Sequence, residues 1–222
     1  MRIFARRRAG LSGGACLTTW QAIGLPGADV TFAPDWLERV EADALFAVLH
    51  DEIPWEVHRL RMFGRWVDAP RLNAWLGDPG ASYRYAGNTF EPSPWTPTLL
   101  ALRERAEAAC GVRFNSVLAN LYRHGGEYMG WHADDEKELG PEPVIASVSL
   151  GAQRTFRFRA RAGGDPVAVE LTHGSLLRMG AGTQRLYKHD MPVRKRIATP
   201  RLNLTFRWIE PTPATETPLP PL

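Results

Sequence analysis

The spacing of apolar residues along this chain changes period once, near Gly111. Before it the spacing is helical. Trp36, Leu37, Val40, Ala44, Leu45, Val48 and Leu49 recur every three or four residues, which predicts an amphipathic helix from Pro34 to His50 with the proline in its first turn. A second helix is predicted from Pro97 to Cys110, with Thr96 as N-cap, Pro97 at the first helical position and Gly111 as the stop. Beyond Gly111 the period shortens. Phe114 to Tyr122, Val144 to Leu150, Thr155 to Arg159, Val167 to Leu171, Ser175 to Met179 and Leu202 to Ile209 read as short strands separated by Gly, Pro or Asp. Helices followed by many short strands predict an α+β, mainly β protein: an antiparallel double sheet or barrel with flanking helices.

The last strand carries the sharpest alternation. Leu202, Leu204, Phe206 and Trp208 fall on one face, and Arg201, Asn203, Thr205 and Arg207 on the other. If the apolar face packs inward, two guanidinium groups share a face on which an anion offsets their burial, and a dicarboxylate satisfies both. An exposed edge strand with solvated arginines is the competing reading. Asn120 and Tyr122 repeat the i, i+2 device, an amide and a phenol opposite leucines, although such pairs are more often ordinary half-buried strand residues.

His132 and Asp134 also sit at i, i+2, so on an extended segment both side chains point the same way. With a distant histidine they would form a two-histidine, one-carboxylate facial triad suited to Fe(II), with open positions for an oxidisable cosubstrate and O2. His189 is the best third ligand, because it stands in a strand-like context before the arginine strand. His173 and His124 are rivals on spacing.

Composition narrows the class without naming a partner. The 222 residues are 44% apolar and 23% charged, with a formal charge of +3, which fits one soluble globular domain and permits a polyanionic ligand without requiring one. Two widely spaced cysteines, Cys16 and Cys110, argue for a reducing compartment. The basic start lacks a continuous apolar segment, and no run approaches a membrane span, so the expectation is a cytoplasmic monomer without membrane association. Residues 1–15 are expected to be a disordered basic terminus, 16–210 a single domain, and 211–222 a Pro-rich flexible tail.

Taken together, Asn120-Leu121-Tyr122, His132-Ala133-Asp134-Asp135-Glu136, His189 and Arg201-Leu202-Asn203-Leu204-Thr205-Phe206-Arg207 resemble the AlkB family of Fe(II)/2-oxoglutarate-dependent dioxygenases in order and spacing. The similarity extends to Ile145–Gly151, His173–Leu177 and Met191–Lys195. The resemblance implies a double-stranded β-helix, or jelly roll, at about 112–209, with a nucleotide-recognition lid at about 53–95. It implies iron on His132, Asp134 and His189, with 2-oxoglutarate and O2 as cosubstrates. One carboxylate of 2-oxoglutarate would face Arg207 and Asn120, and the distal one Arg201, Tyr122 and Asn203, with Thr205 in the same wall.

The reaction that this implies is oxidative demethylation of bases alkylated on the Watson–Crick face, such as 1-methyladenine and 3-methylcytosine, which must leave the stack to be reached. Ser82–Gly87 resembles the family's base-covering hairpin, with Tyr83 and Tyr85 on one face and Tyr85 stacking on the lesion opposite His132. Glu136 matches the position that reads the exocyclic amine. Arg61-Met62-Phe63-Gly64-Arg65-Trp66 is similar to the loop of the mammalian homologue that repairs duplex DNA, which makes Phe63 a candidate wedge and Arg71 a candidate contact to the DNA backbone or the displaced strand. A buried Phe63 is nearly as good a reading. Alkylated DNA, single-stranded and duplex, is the expected partner; an RNA or protein demethylase, or a metal-free nucleic-acid-binding protein, are the alternatives. Lys188 and Ala133 depart from the family pattern next to the ligands.

Overall fold

The structure is a computed structural model that describes residues 18–57, 59–62, 65–85 and 88–210. The expected disordered basic terminus and Pro-rich tail, and Phe63, lie outside the described residues. Short strands β1 (Gln21–Ala22) and β2 (Val30–Ala33) precede helix α1 (Arg39–Glu52). Two hairpins follow, β3 (Arg59–Met62) with β4 (Arg65–Asp68), and β6 (Tyr83–Tyr85) with β7 (Asn88–Phe90), on either side of β5 (Leu72–Gly77). Helix α2 (Pro97–Cys110) leads into β8 (Ser116–Tyr122), β9 (Met129–His132), β10 (Ile145–Gly151), β11 (Arg154–Ala160), β12 (Val167–Leu171) and β13 (Ser175–Met179). A single helical turn, α3 (Thr183–Leu186), then precedes β14 (Tyr187–Met191) and β15 (Arg201–Arg207).

Two antiparallel sheets result, as the strand-rich half of the sequence predicts. The larger runs β1-β2-β13-β10-β15-β8-β5 and the smaller β12-β11-β14-β9. One face of the larger sheet, with Val117, Ala119, Val148, Leu202, Leu204 and Phe206, packs on Leu49, Leu99 and Leu102 of the two helices. Burying each large apolar side chain here contributes roughly 1.5–3 kcal/mol, which fixes the alternation of β15 with its arginines facing the other way. Between the sheets a second cluster, including Phe32, Ile145, Phe158, Leu171 and Leu177, closes one end, and the other end holds a cavity.

Helix α2 has the predicted bounds: the Thr96 side chain accepts from the Leu99 amide at 3.2 Å, and Gly111 takes the left-handed conformation at φ 71°. Helix α1 starts later than predicted. The Thr172 hydroxyl donates to the Pro34 carbonyl, and the Leu37 amide donates to the Gly174 carbonyl, so residues 34–37 are held to the β12–β13 turn and cannot coil. The apolar face shifts accordingly. Ala42 and Leu49 are buried, whereas Val40 is 81% exposed. Strand β15 also ends early, at Arg207. The Asn115 side chain donates to the Ile209 carbonyl and accepts from its amide, capping the ladder and leaving Trp208 half exposed.

Several strands arise where no strand was predicted, β3 and β4 among them. β1 and β2 extend the larger sheet beyond β13, and β5, inside the stretch expected to form the lid, pairs with β8 as its other edge. No helix among the described residues is long and apolar enough to cross a membrane.

Candidate active site

Strands β9 and β14 are neighbours, and their register sets His132 directly opposite His189. The two Nε2 atoms are 3.1 Å apart. Asp134, two residues past the end of the His132 strand, brings Oδ1 to 3.9 Å from His132 Nε2 and Oδ2 to 3.9 Å from His189 Nε2. His132, Asp134 and His189 thus place one ligand atom each within 4.8 Å of one another. His173 is used elsewhere: its Nδ1 accepts from the Gly151 amide at 2.8 Å and its Nε2 lies 3.1 Å from Asp43 on α1. His124 is exposed in the β8–β9 turn, where its Nδ1 accepts from the Gly126 amide.

The protonation pattern fits a metal ion. His132 Nδ1 is 2.8 Å from the Gly130 carbonyl, which can only accept, so Nδ1 carries the proton and Nε2 presents its lone pair to the cluster. Burial holds His189 neutral by pushing its pKa down to about 3, with the neighbouring His132 adding to the effect. Burial would raise the Asp134 carboxyl, but the Arg207 charge and the two imidazoles outweigh it and hold it below the usual carboxylate range. Two neutral imidazole nitrogens and one carboxylate oxygen form a donor set suited to Fe(II). The Asp134 amide donates to Gln184 Oε1 at 3.0 Å, so α3 fixes the backbone of the ligand segment.

The cavity beside this cluster lies between the sheets. Its walls include Asn120 and Tyr122 on β8, Ser147 on β10, and Arg201, Asn203, Thr205 and Arg207 on β15. Leu118 shares this face with Asn120 and Tyr122, whereas Leu121 packs on the opposite side. Arg207 and Arg201 are 4% and 2% exposed, so the reading of solvated edge arginines does not hold. Arg207 donates to Asp134 Oδ1 at 2.8 Å. Arg201 donates to Ser149 Oγ at 2.9 Å, approaches Met191 Sδ at 3.4 Å, and packs over the Tyr122 ring. It has no carboxylate partner among the described residues, and burial pushes its pKa down to about 10. A buried cation held only by neutral groups is costly, and an anionic ligand in the cavity relieves that cost.

The amides differ in what they leave for a ligand. Asn203 Nδ2 donates to Ser147 Oγ at 2.8 Å and the Val148 carbonyl at 3.1 Å, and its Oδ1 accepts from Thr205 at 3.4 Å. Asn120 Oδ1 accepts from Arg71 Nε at 2.7 Å. Glu136 is half buried just past the ligand segment, and Asp135 pairs with Arg161. β6 carries Tyr83 and Tyr85, whose side chains lie outside the described residues. Lys188 is exposed, turned away from its neighbour His189.

Sequence reasoning missed several wall residues. Phe156 stacks on the His189 ring at 5.1 Å. Behind the wall, Arg154, 1% exposed, donates to the carbonyls of Glu127 and Pro192 and lies over the Tyr122 ring, 5.8 Å from its centre. Met129, Met179 and Met191 complete the lining. The strand alternation of β11 and β13 held the signal for Phe156 and Met179, but nothing chemical set them apart from ordinary core.

This jelly roll, with its His-Asp-His cluster and arginine-lined cavity, is that of a dioxygenase: residues 29–207 match the 2OG-Fe(II) oxygenase superfamily, and the chain belongs to it. Within that superfamily it belongs with the AlkB homologues. It is 42% identical over 185 residues to the mouse DNA oxidative demethylase ALKBH2, covering 78% of this chain and 77% of that one. The human DNA oxidative demethylase ALKBH2 is 39% identical over 215 residues, covering 92% and 82%. The human alpha-ketoglutarate-dependent dioxygenase alkB homolog 3 is 39% identical over 194 residues, covering 83% and 67%. A solved structure, that of OsALKBH1, superposes with a TM-score of 0.62 at 16% identity over 86% of this chain and all of that one, a likeness of fold.

Proposed function

We propose that this protein removes alkyl groups from the nitrogens of DNA bases, with 1-methyladenine and 3-methylcytosine as its substrates. The observation that carries the reading is the His132, Asp134 and His189 cluster opening onto a cavity walled by two buried arginines. The ALKBH2 relatives, named as DNA oxidative demethylases, supply the substrate class.

Bound Fe(II) supplies activation of O2 coupled to oxidation of 2-oxoglutarate to succinate and CO2. The chain's own residues position the partners. Arg201 receives the distal carboxylate, and its burial makes that pairing strong. Asn120 and Arg207 face the end nearest the metal. The methyl carbon gains one oxygen atom, and the resulting N-hydroxymethyl group loses its hydroxyl proton as the C–N bond breaks, which releases formaldehyde and returns the bonding pair to the base nitrogen. Glu136, half buried next to the ligand segment, accepts from the exocyclic amine of the base and complements its methylation charge. Tyr83 and Tyr85 cover the base, with Tyr85 stacking on it.

Duplex DNA is included in the proposal, with Phe63 filling the gap left by the extruded base. Arg194, Lys195 and Arg196 are exposed on the loop after β14 and offer charge to phosphates. The protein acts as a monomer in the cytoplasm.

The test follows loss of the methyl group and release of formaldehyde from 1-methyladenine in single-stranded DNA, duplex DNA and RNA, with and without Fe(II) and 2-oxoglutarate. Demethylation of DNA that requires both is expected. Equal turnover without 2-oxoglutarate, or turnover confined to RNA, overturns the reading. Phe63→Ala is expected to slow duplex repair more than single-strand repair; an equal loss on both assigns Phe63 to packing.

A further inference from the structure

Arg71 stands just before β5, directly after the segment that leaves the β3–β4 hairpin, and its sequence context suggested a contact to DNA. Its half-buried side chain also reaches the cavity wall. Its Nε donates to Asn120 Oδ1 at 2.7 Å, across a sequence separation of 49 residues. The register of β5 on β8 explains how it gets there. Asn73 is paired with Asn120, so Arg71 leaves β5 two residues away on the same face of the sheet.

That bond decides which end of the Asn120 amide meets the cavity. A guanidinium has donors only, so the atom facing it must be the amide oxygen. The NH2 group is then the end left for a cavity ligand, and Asn120 lines that cavity while only 2% exposed. Turned over, the amide would oppose its NH2 to the guanidinium and offer an oxygen to an incoming carboxylate, a repulsive pairing at both ends. The other cavity amide cannot substitute. Asn203 has its NH2 bonded to Ser147 and the Val148 carbonyl. Thr205 and Ser147 are drawn into that same set of bonds, so Asn120 is the amide donor that remains to be aimed.

We propose that Arg71 is a positioning residue for the cosubstrate: it orients the Asn120 carboxamide so that its NH2 meets the metal-side carboxylate of 2-oxoglutarate. The inference rests on the assignment of 2-oxoglutarate to this cavity. Arg71 does not touch the cosubstrate itself and acts through Asn120. It also ties the cosubstrate pocket to the chain segment that carries the β3–β4 hairpin, so that tight cosubstrate binding depends on that segment being docked.

The experiment is calorimetric titration of 2-oxoglutarate into the Mn(II)-loaded full-length protein, with Arg71→Met, Asn120→Ala and the double variant beside the wild type. Methionine keeps most of the apolar stem, and thermal unfolding of each variant checks that the fold persists. Arg71→Met is expected to weaken 2-oxoglutarate binding about tenfold, the scale of a lost hydrogen bond to a charged group. On the Asn120→Ala background the same change should have almost no further effect, because the amide it orients is gone. Additive losses, or an unchanged dissociation constant in Arg71→Met, overturn the inference. Binding of a methylated duplex oligonucleotide supplies the contrasting readout: a loss there with normal 2-oxoglutarate affinity makes Arg71 a DNA contact instead. If the wild-type protein fails to bind 2-oxoglutarate at all, the cavity assignment fails, and that result is distinct from a failure of Arg71 to act through Asn120.

Discussion

The guanidinium of Arg207 donates to the carboxylate of Asp134 at 2.8 Å, and both side chains are almost wholly buried. A cosubstrate-wall residue and a metal-ligand residue therefore hold each other. Replacing Asp134 with alanine removes a ligand and a buried ion-pair partner of Arg207. The Asp134→Ala protein should lose Mn(II) binding by titration, and its metal-free form should be less stable by about 3 kcal/mol in denaturant unfolding. Adding Arg207→Met should restore part of that stability. Metal affinity that survives Asp134→Ala would show the cluster to be misassigned.

The same pair makes a pH prediction. Burial raises the Asp134 carboxyl, yet Arg207 foremost and then His189 and His132 bring its folded pKa below the unfolded value of 3.8. A depressed carboxyl stabilises the fold above the unfolded pKa and ceases to do so as pH falls through the folded one. The stability gap between wild type and Asp134→Asn should therefore be complete at neutral pH and narrow only below about pH 4. A gap that closes between pH 6 and 8 would point to a histidine instead.

Gln184 accepts from the Asp134 amide and is itself buried. Gln184→Leu should leave that amide without its partner and loosen the ligand segment. About a tenfold loss in metal affinity is expected, with the fold retained by circular dichroism. Unchanged affinity would reduce Gln184 to packing.

Cys110 lies in the core at the end of α2, where burial pushes its thiol up to about 12. It should resist alkylation in the native protein at pH 8 and react after denaturation, as read by peptide mass mapping. Rapid native labelling at Cys110 would mean that the end of α2 opens readily.

Much of this architecture was legible in the sequence, for physical reasons that differ by element. Thr96, Pro97 and Gly111 each act on adjacent backbone, so α2 could be bounded from local chemistry alone. The β15 alternation was legible because its apolar residues and arginines are both unambiguous in polarity. Helix α1 was misjudged at its start because the bonds holding residues 34–37 come from Thr172 and Gly174, far away in the chain. β5 went unrecognised for a related reason: Leu72–Gly77 becomes a strand by pairing with β8, and Asn73 and Gly77 weaken its local signal. Arg71 was read as a DNA contact from the family resemblance, and only the sheet register reveals its bond to Asn120.

His132 and His189 face each other as partners in one β ladder. If β14 slipped by a single residue against its neighbours, Lys188 or Asp190 would stand where His189 does, opposite both His132 on β9 and Phe158 on β11. Correct metal chelation and correct strand pairing are thus one event during folding. Iron offered to a misaligned chain meets only the local His132 and Asp134 pair, and the third ligand arrives with the correct register.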